Sequence, residues 1–170
     1  MTLAYVTAAE RGQTDRVLRA VADRLGARGI ALAGVVQTNS RCRDGGHCDM
    51  DVEVLGDGAV IRISQDLGPG ASGCRLNPEA LEHAVARVEA VLKGPTRLLI
   101  VNKFGKHEAE GRGFRNLIGE ALSSGLPVLT AVNAENRAAF AEFHGGLAQE
   151  LAADAEAVLD WFEGAVTLKA

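Results

Sequence analysis

The chain has 170 residues, of which 47% are hydrophobic and 24% are charged, and its formal net charge is −4. This length and composition predict one folded domain over residues 1–170 and exclude a disordered chain. The negative charge and an aromatic content of only 4% argue against a nucleic-acid-binding protein. No apolar run approaches the roughly 20 residues that span a bilayer, and the first residues lack a signal-peptide pattern, so we expect a cytoplasmic protein that does not contact membranes.

The first third of the chain predicts a strand, a helix and a second strand. Leu3–Thr7 is a short apolar run, and Ile30–Gln37 is another. Between them, apolar residues recur with helical spacing up to a terminating Gly29, namely Val17, Leu18, Val21, Ala22 and Leu25. Such a βαβ unit has parallel strands. Residues 52–55 and 59–64 then flank an Asp-Gly turn, which predicts a β-hairpin insertion.

The rest of the chain predicts alternating helices and strands. Asn77 and Pro78 are a favourable N-cap and first helical residue, and that helix stops at Gly94. The later predicted segments are a strand at 97–102, a glycine-rich polar loop at 103–113, a helix at 114–124, a strand at 127–132, and helices at 135–143 and 147–162. The resulting fold class is α/β, with a mostly parallel sheet covered by helices. Ligands of such sheets bind beyond the carboxyl ends of the strands, so the loops at 7–14, 37–49, 102–113 and 132–136 are candidate site loops.

The loop after the first strand resembles a phosphate-binding P-loop. The Walker A pattern, Gly-x-x-x-x-Gly-Lys-Ser/Thr, aligns with residues 7–14 and is matched at Gly12 and Thr14. Gln13 stands at the lysine position, so the charge that draws phosphates together is missing and hydrolysis is expected to be weak at most. Arg11, Gly12, Gln13 and Thr14 are candidate anion-binding residues. The alternative is a tight turn in which Thr14 caps the helix.

The second candidate loop carries thiols and an imidazole. Cys42, His47 and Cys48 lie within seven residues, and Cys74 is a possible fourth ligand. This donor set suits Zn²⁺, although the Cys-x5-Cys spacing is unusual for structural zinc. Free thiols in a polar loop are the alternative.

The third candidate loop follows the strand at 97–102 and is strongly cationic. Lys103, Lys106, Arg112 and Arg115 alternate with glycines, a pattern that favours an anion clamp. Ordinary P-loop enzymes carry an Asp or Asp-Glu at the end of this strand, whereas this chain has Asn102 and Lys103. Glu108 is the one candidate base. The alternative is a solvated loop with charge pairs such as Lys106–Glu110.

These residues carry two resemblances. The layout is similar to the compact P-loop nucleoside triphosphatases sometimes called cancer-related NTPases, which implies a P-loop-NTPase-like fold. Nearly the whole chain also resembles a bacterial family of unknown function whose members are often encoded near molybdate-uptake genes. The segments that carry this second resemblance are 48–51, 63–71, 73–76, 102–106, 108–113 and 125–129.

Three functions follow as hypotheses. The first is a degenerate P-loop protein that binds a nucleotide, with or without Mg²⁺, or a phosphate-like anion, with little or no hydrolysis. The second, implied largely by resemblance, is a carrier or sensor of molybdate or tungstate. The third is a metal-stabilised interaction module built on the Cys/His loop. In each case the sequence leaves turnover and a homo-oligomeric state open.

Overall fold

The computed structural model describes residues 2–40, 48–65 and 76–167. The described strands form one seven-stranded sheet in the order β4-β3-β2-β5-β6-β1-β7. Their bounds are β1 Leu3–Val6, β2 Leu32–Ser40, β3 Asp49–Leu55, β4 Val60–Arg62, β5 Leu98–Val101, β6 Val128–Ala131 and β7 Ala148–Leu151. The helices are α1 Gln13–Ala27, α2 Pro78–Leu92, α3 Lys106–Ala109, α4 Arg115–Ser123, α5 Arg137–His144 and α6 Ala155–Thr167, with a 3-10 turn at Ala134–Asn136.

The central part of the sheet is parallel. β1 pairs with β6 and β7, and β5 pairs with β2 and β6, all in parallel register. β3 and β4 are added antiparallel at the β2 edge, which confirms the predicted hairpin insertion. The carboxyl ends of β1, β2, β5 and β6 therefore lie along one edge of the sheet, and this edge holds the candidate loops.

Helices cover both faces of the sheet. The apolar face of α1 packs with α6 on one side, where Leu18, Val21 and Phe162 are buried. The other side is covered by α2, α4 and α5, which bury Val88, Ile118 and other apolar residues. The Asn77 side chain accepts hydrogen bonds from the N–H groups of Glu79 and Ala80, as its N-cap position predicts. Within the described residues, no helix is both long and apolar enough to cross a membrane.

The predicted helix at 147–162 is wrong in its first half. Residues 148–151 form β7, an edge strand that pairs with β1, and α6 begins only at Ala155. Asp154 caps α6 by accepting a hydrogen bond from the N–H of Ala157. Ala, Gln, Glu and Leu are all good helix formers, so the hydrogen bonds that the edge of β1 offers override the local preference of Ala148–Leu151.

Two smaller differences concern the candidate loops. Lys103–Gly113 is not entirely irregular, because it contains the one-turn helix α3. Thr14 does not cap α1, because the helix begins at Gln13 and the preceding Gly12 adopts a left-handed conformation with φ of 78°.

Candidate functional site

The loop between β1 and α1 points unbonded backbone N–H groups out of the start of a helix. Gly12 turns the chain in the left-handed region that favours glycine, and the N–H of Gln13 donates to the Glu10 carbonyl at 3.2 Å. The N–H groups of Thr14 and Asp15 have no acceptor within the described part of the chain. At the start of a 15-residue helix, these donors and the helix dipole favour an anion.

The loop after β5 is anchored by buried side chains and presents lysines to solvent. Phe104 is fully buried, with its ring centroid 5.0 Å from that of Phe140. The buried Glu108 carboxylate accepts a hydrogen bond from the N–H of Gly105 at 2.9 Å and another from Phe114 at 3.0 Å. Lys103 and Lys106 flank the anchored Phe104-Gly105 pair, and both are exposed. The backbone therefore holds the two lysines in place while their ammonium groups stay accessible.

Both loops line one cavity of about 720 Å³ at the carboxyl edge of the sheet. Of the sequence-predicted residues, the structure brings together Arg11, Gly12, Thr14, Cys48, Lys103, Lys106 and Glu108 around this cavity. Lys103 and Arg11 have no carboxylate partner among the residues that the structure describes, and Lys106 lies 3.9 Å from Glu110. The cationic loop and the helix start, far apart in sequence, thus face the same space.

Three predicted binding residues do not line the cavity. The Gln13 amide donates to the Ala153 carbonyl at 3.5 Å, towards the connection between β7 and α6. Arg115 donates to the Glu108 carbonyl at 3.1 Å, and its guanidinium lies over the Phe143 ring. Arg112 forms an ion pair with Glu110 on the surface, and this hydrogen bond lowers the pKa of the Glu110 carboxyl.

The Glu108 carboxylate is buried and bonded to the backbone. Both of its carboxylate oxygens accept backbone hydrogen bonds, and the residue is only 4% exposed. A carboxylate whose oxygens are already used in this way stabilises the loop that carries the lysines. This geometry favours a positioning role for Glu108 over its use as a base.

A polar network that the sequence did not indicate joins α1 to the ends of β2 and β5. The buried Asn102 amide donates to Asp15 at 2.9 Å, and its oxygen accepts the Gln37 N–H at 2.8 Å. The other Asp15 oxygen accepts from Asn39 at 3.2 Å. Asn102 thus links the first turn of α1 to β2. The sequence signal for Asp15 was an acidic residue in the first turn of a helix, directly after Thr14.

His107 is a further cavity residue of interest. His107 is 9% exposed and lines the cavity, as its neighbours Lys106 and Glu108 do. No hydrogen bond from its ring to any described residue is present. The imidazole is therefore available to a ligand, as donor or acceptor.

Comparisons with known proteins place this chain in a family. Residues 3–161 match the family described as "Protein of unknown function (DUF2478)". The chain belongs to the DUF2478 family. This result confirms the resemblance to a bacterial family of unknown function that the motifs predicted.

The DUF2478 chain is also similar to two further proteins. It is 33% identical over 150 residues to "Molybdenum import ATP-binding protein ModC 2" of Bradyrhizobium diazoefficiens, a match that covers 87% of this chain and 16% of that protein. The chain therefore spans about a sixth of the length of that relative. The crystal structure of THEP1 from Aquifex aeolicus matches with a TM-score of 0.65 and 16% identity, over 99% of this chain and 98% of that one. This likeness confirms the predicted α/β, P-loop-NTPase-like fold of the DUF2478 chain.

The proposed zinc ligands of this DUF2478 chain are mostly outside the described structure. Cys42, His47 and Cys74 lie in the segments 41–47 and 66–75, which the structure does not describe. Cys48 is described and lines the cavity. Across residues 2–40, 48–65 and 76–167, no group of three or more His, Cys, Asp or Glu residues is placed to hold a metal ion.

Proposed function

We propose that this DUF2478 protein binds a nucleotide or another phosphate-containing anion in the cavity and hydrolyses it poorly or not at all. The observation that carries the proposal is that Lys103 and N–H groups of α1, none of which has a partner among the described residues, border the same space. A phosphate there would accept hydrogen bonds from the helix start and meet an ammonium from the loop after β5. The printed name of the Bradyrhizobium relative, an ATP-binding protein, is in line with this choice.

Weak hydrolysis follows from the residues at the positions that P-loop enzymes use for catalysis. Gln13 takes the place of the Walker A lysine, and its side chain is turned to Ala153. Asn102 follows β5, where ordinary P-loop enzymes carry an acidic residue. Its side-chain amide donates to Asp15 and accepts from the Gln37 N–H. Neither side chain is available to stabilise the charge that develops on a transferred phosphoryl group.

The cavity also contains acidic groups, which bear on the role of Mg²⁺. Glu10, Asp15 and Glu135 line it together with the cations. Mg²⁺ in nucleotide sites is commonly held by one or two carboxylates and the phosphates. The Thr14 hydroxyl and the Asp15 carboxylate are the groups of this chain that suit it, and Mg²⁺ bound there would offset repulsion between the phosphates and Asp15. We therefore expect Mg²⁺ to strengthen binding.

Calorimetric titration with ATP, GTP and ADP, with and without Mg²⁺, tests the proposal. The matched pair of variants is Lys103→Ala and Lys93→Ala, because Lys93 is an exposed lysine at the C-terminal end of α2, outside the cavity. We expect Lys103→Ala to weaken binding about tenfold, since a charge-assisted hydrogen bond contributes about 1.5 kcal/mol or more. Lys93→Ala should bind as the unmodified protein does. Absence of heat with every nucleotide, or equal effects of both variants, would contradict the proposal.

The same donors suit a tetrahedral oxyanion, which keeps molybdate or tungstate as a second candidate ligand. The observation that favours it is the similarity to a protein named for molybdenum import. Thermal unfolding in molybdate, tungstate, sulfate and phosphate distinguishes the two candidates, because a ligand of the native state raises the unfolding temperature. A shift specific to molybdate and tungstate supports this candidate, whereas equal or absent shifts remove it.

A further inference from the structure

The cavity has a second, apolar compartment beside the candidate phosphate site. We define it as the described apolar side chains that line the cavity on the α2 and α4 side of the sheet, which are Val35, Met50, Val52, Ile63, Leu76, Leu81 and Phe114. They come from β2, from β3, from the residue after β4, from the segment before α2 and the start of α2, and from the residue before α4. Most are buried, while Met50 and Leu76 are partly exposed.

Strand register gives the separation between the two compartments. Asn102, which precedes Lys103, binds the Gln37 N–H, and Gln37 pairs with Val52 on β3. Val52 is therefore two strand spacings from the end of β5, or about 10 Å. The loop after β1 lies two spacings from β5 in the other direction, because β6 separates them. The cavity thus extends across several strands of the sheet.

This size exceeds what a phosphate-like anion alone occupies. A tetrahedral oxyanion takes roughly the volume of two or three waters, about 60–90 Å³ at ~30 Å³ each. The cavity volume of about 720 Å³ leaves room for a larger organic group next to the anion. The apolar lining makes contact with an apolar or flat ring favourable, and Phe114 adds an aromatic ring to that wall.

We propose that the ligand is a nucleoside phosphate whose base lies in the apolar compartment, between the β3–β4 hairpin and the starts of α2 and α4. This assignment rests on the proposed function, because it requires the phosphates to lie between the first turn of α1 and Lys103. The base then gains its binding energy from the α2 and α4 side of the sheet, opposite the face that α1 covers. Binding energy is divided between an anionic end and an apolar end of one ligand.

Titration with ATP, GTP and inorganic tripolyphosphate at fixed Mg²⁺ separates the two ends. Tripolyphosphate carries the charge without the base, so we expect the tighter of the two nucleotides to bind at least tenfold more strongly. Met50→Trp places a larger side chain in the apolar compartment and should weaken nucleotide binding at least tenfold, while tripolyphosphate affinity stays within twofold. Val60→Trp is the matched control, because Val60 is 66% exposed on the neighbouring strand β4 and does not line the cavity.

A second substitution keeps the test valid if the Met50→Trp variant does not fold. Met50→Gln keeps the length of the side chain and replaces its thioether with an amide, and it should weaken nucleotide binding at least threefold. Nucleotides that bind no tighter than tripolyphosphate, or a Met50→Gln variant that binds them normally, overturn the assignment of the base while the anion site stands. Failure of both tripolyphosphate and nucleotides to bind the unmodified protein overturns the proposed function as well.

Discussion

Glu108 is the side chain on which the shape of the loop after β5 depends. It reaches back to the N–H of Gly105 before α3 and forward to the N–H of Phe114 before α4. The first of these bonds has the form of half a capping box, and the second joins two helices that are separated by an irregular segment. The position of Lys103 and Lys106 is therefore set by a carboxylate that points away from solvent.

Replacement of this carboxylate should lower stability. Glu108→Gln retains one acceptor oxygen and sets an amide N–H₂ against the second backbone N–H, so we expect a loss of about 1–3 kcal/mol in the free energy of unfolding. Urea unfolding measures the loss. Glu110→Gln is the control, since Glu110 lies in the surface pair with Arg112 and its substitution should leave the unfolding midpoint unchanged. Equal midpoints for both variants would show that the loop does not depend on Glu108.

Asn102 and Asp15 form a side-chain pair between the end of β5 and the start of α1. An amide at the end of β5 donates to a carboxylate in the first turn of α1, so the acidic group of the pair stands on the helix. The two residues are 87 positions apart, and nothing within either segment indicates that they meet. The sequence shows that Asn102 stands where an acidic residue is expected after β5, but it does not show that the Asp15 carboxylate lies across from it.

β2 and β5 approach each other closely at Gly34. Gly34 pairs with Ile100, adopts φ of 115°, and a Cβ there would lie 1.8 Å from the Ile100 carbonyl oxygen. No side chain fits at this distance, so β5, which precedes Asn102, and β2, which contains Gln37, can pair closely only because residue 34 is glycine. The geometry of the polar network at the carboxyl edge depends on this pairing.

A methyl group at this position should be strongly destabilising. Gly34→Ala combines an unfavourable backbone conformation with overlap against backbone atoms, and we expect a loss of about 3 kcal/mol or more. Gly26→Ala is the comparison, because Gly26 lies in α1 with open space around its Cα, and alanine there should stabilise by about 0.5–1 kcal/mol. Chemical unfolding of both variants measures the difference. A Gly34→Ala variant as stable as the unmodified protein would contradict the β2–β5 register.

The β7 edge is joined to the rest of the molecule by a charged network that spans nearly the whole chain. Glu150 on β7 accepts hydrogen bonds from Tyr5, from Thr7 and from Arg137 at 3.2, 2.8 and 2.6 Å. The hydrogen bond from Thr7, and then the nearby Arg137 charge, lower the pKa of the Glu150 carboxyl below its ordinary value. The network ties the first strand, the last strand and the start of α5 together.

The lowered pKa predicts how stability depends on pH. A carboxyl whose pKa is lower in the folded state contributes stability above the pKa of the unfolded chain, ordinarily near 4.5, and loses it as the pH falls through the folded value. Glu150→Gln should therefore cost stability at pH 7, by less than about 1 kcal/mol because the group is half-exposed. The difference from the unmodified protein should shrink as the pH falls below 4.5. Urea unfolding at pH 7, 5 and 4 tests this, and a constant difference at all three values would contradict it.

Much of this architecture follows from local patterns. Helical periodicity over residues 17–25, the Asn77-Pro78 start, the Asp57-Gly58 turn and the apolar run of β5 each reflect interactions within a few residues, and each predicted its element. The carboxyl-edge location of the candidate site followed as well, because parallel strands place their carboxyl ends together. The sequence did not predict which cations line the cavity, because Lys103 and Arg112 lie in the same glycine-rich cationic loop and only Lys103 borders the cavity.

The features that the sequence did not predict depend on contacts between distant parts of the chain. Residues 148–151 become a strand because they pair with the edge of β1, and Glu108 turns inward because it accepts hydrogen bonds from the N–H groups of Gly105 and Phe114. Met50 and Leu81 share a wall of the cavity although they belong to a hairpin and a helix. Local preference in a short segment is worth less than the hydrogen bonds and apolar contacts that its surroundings supply, so such features emerge only when the whole chain is packed.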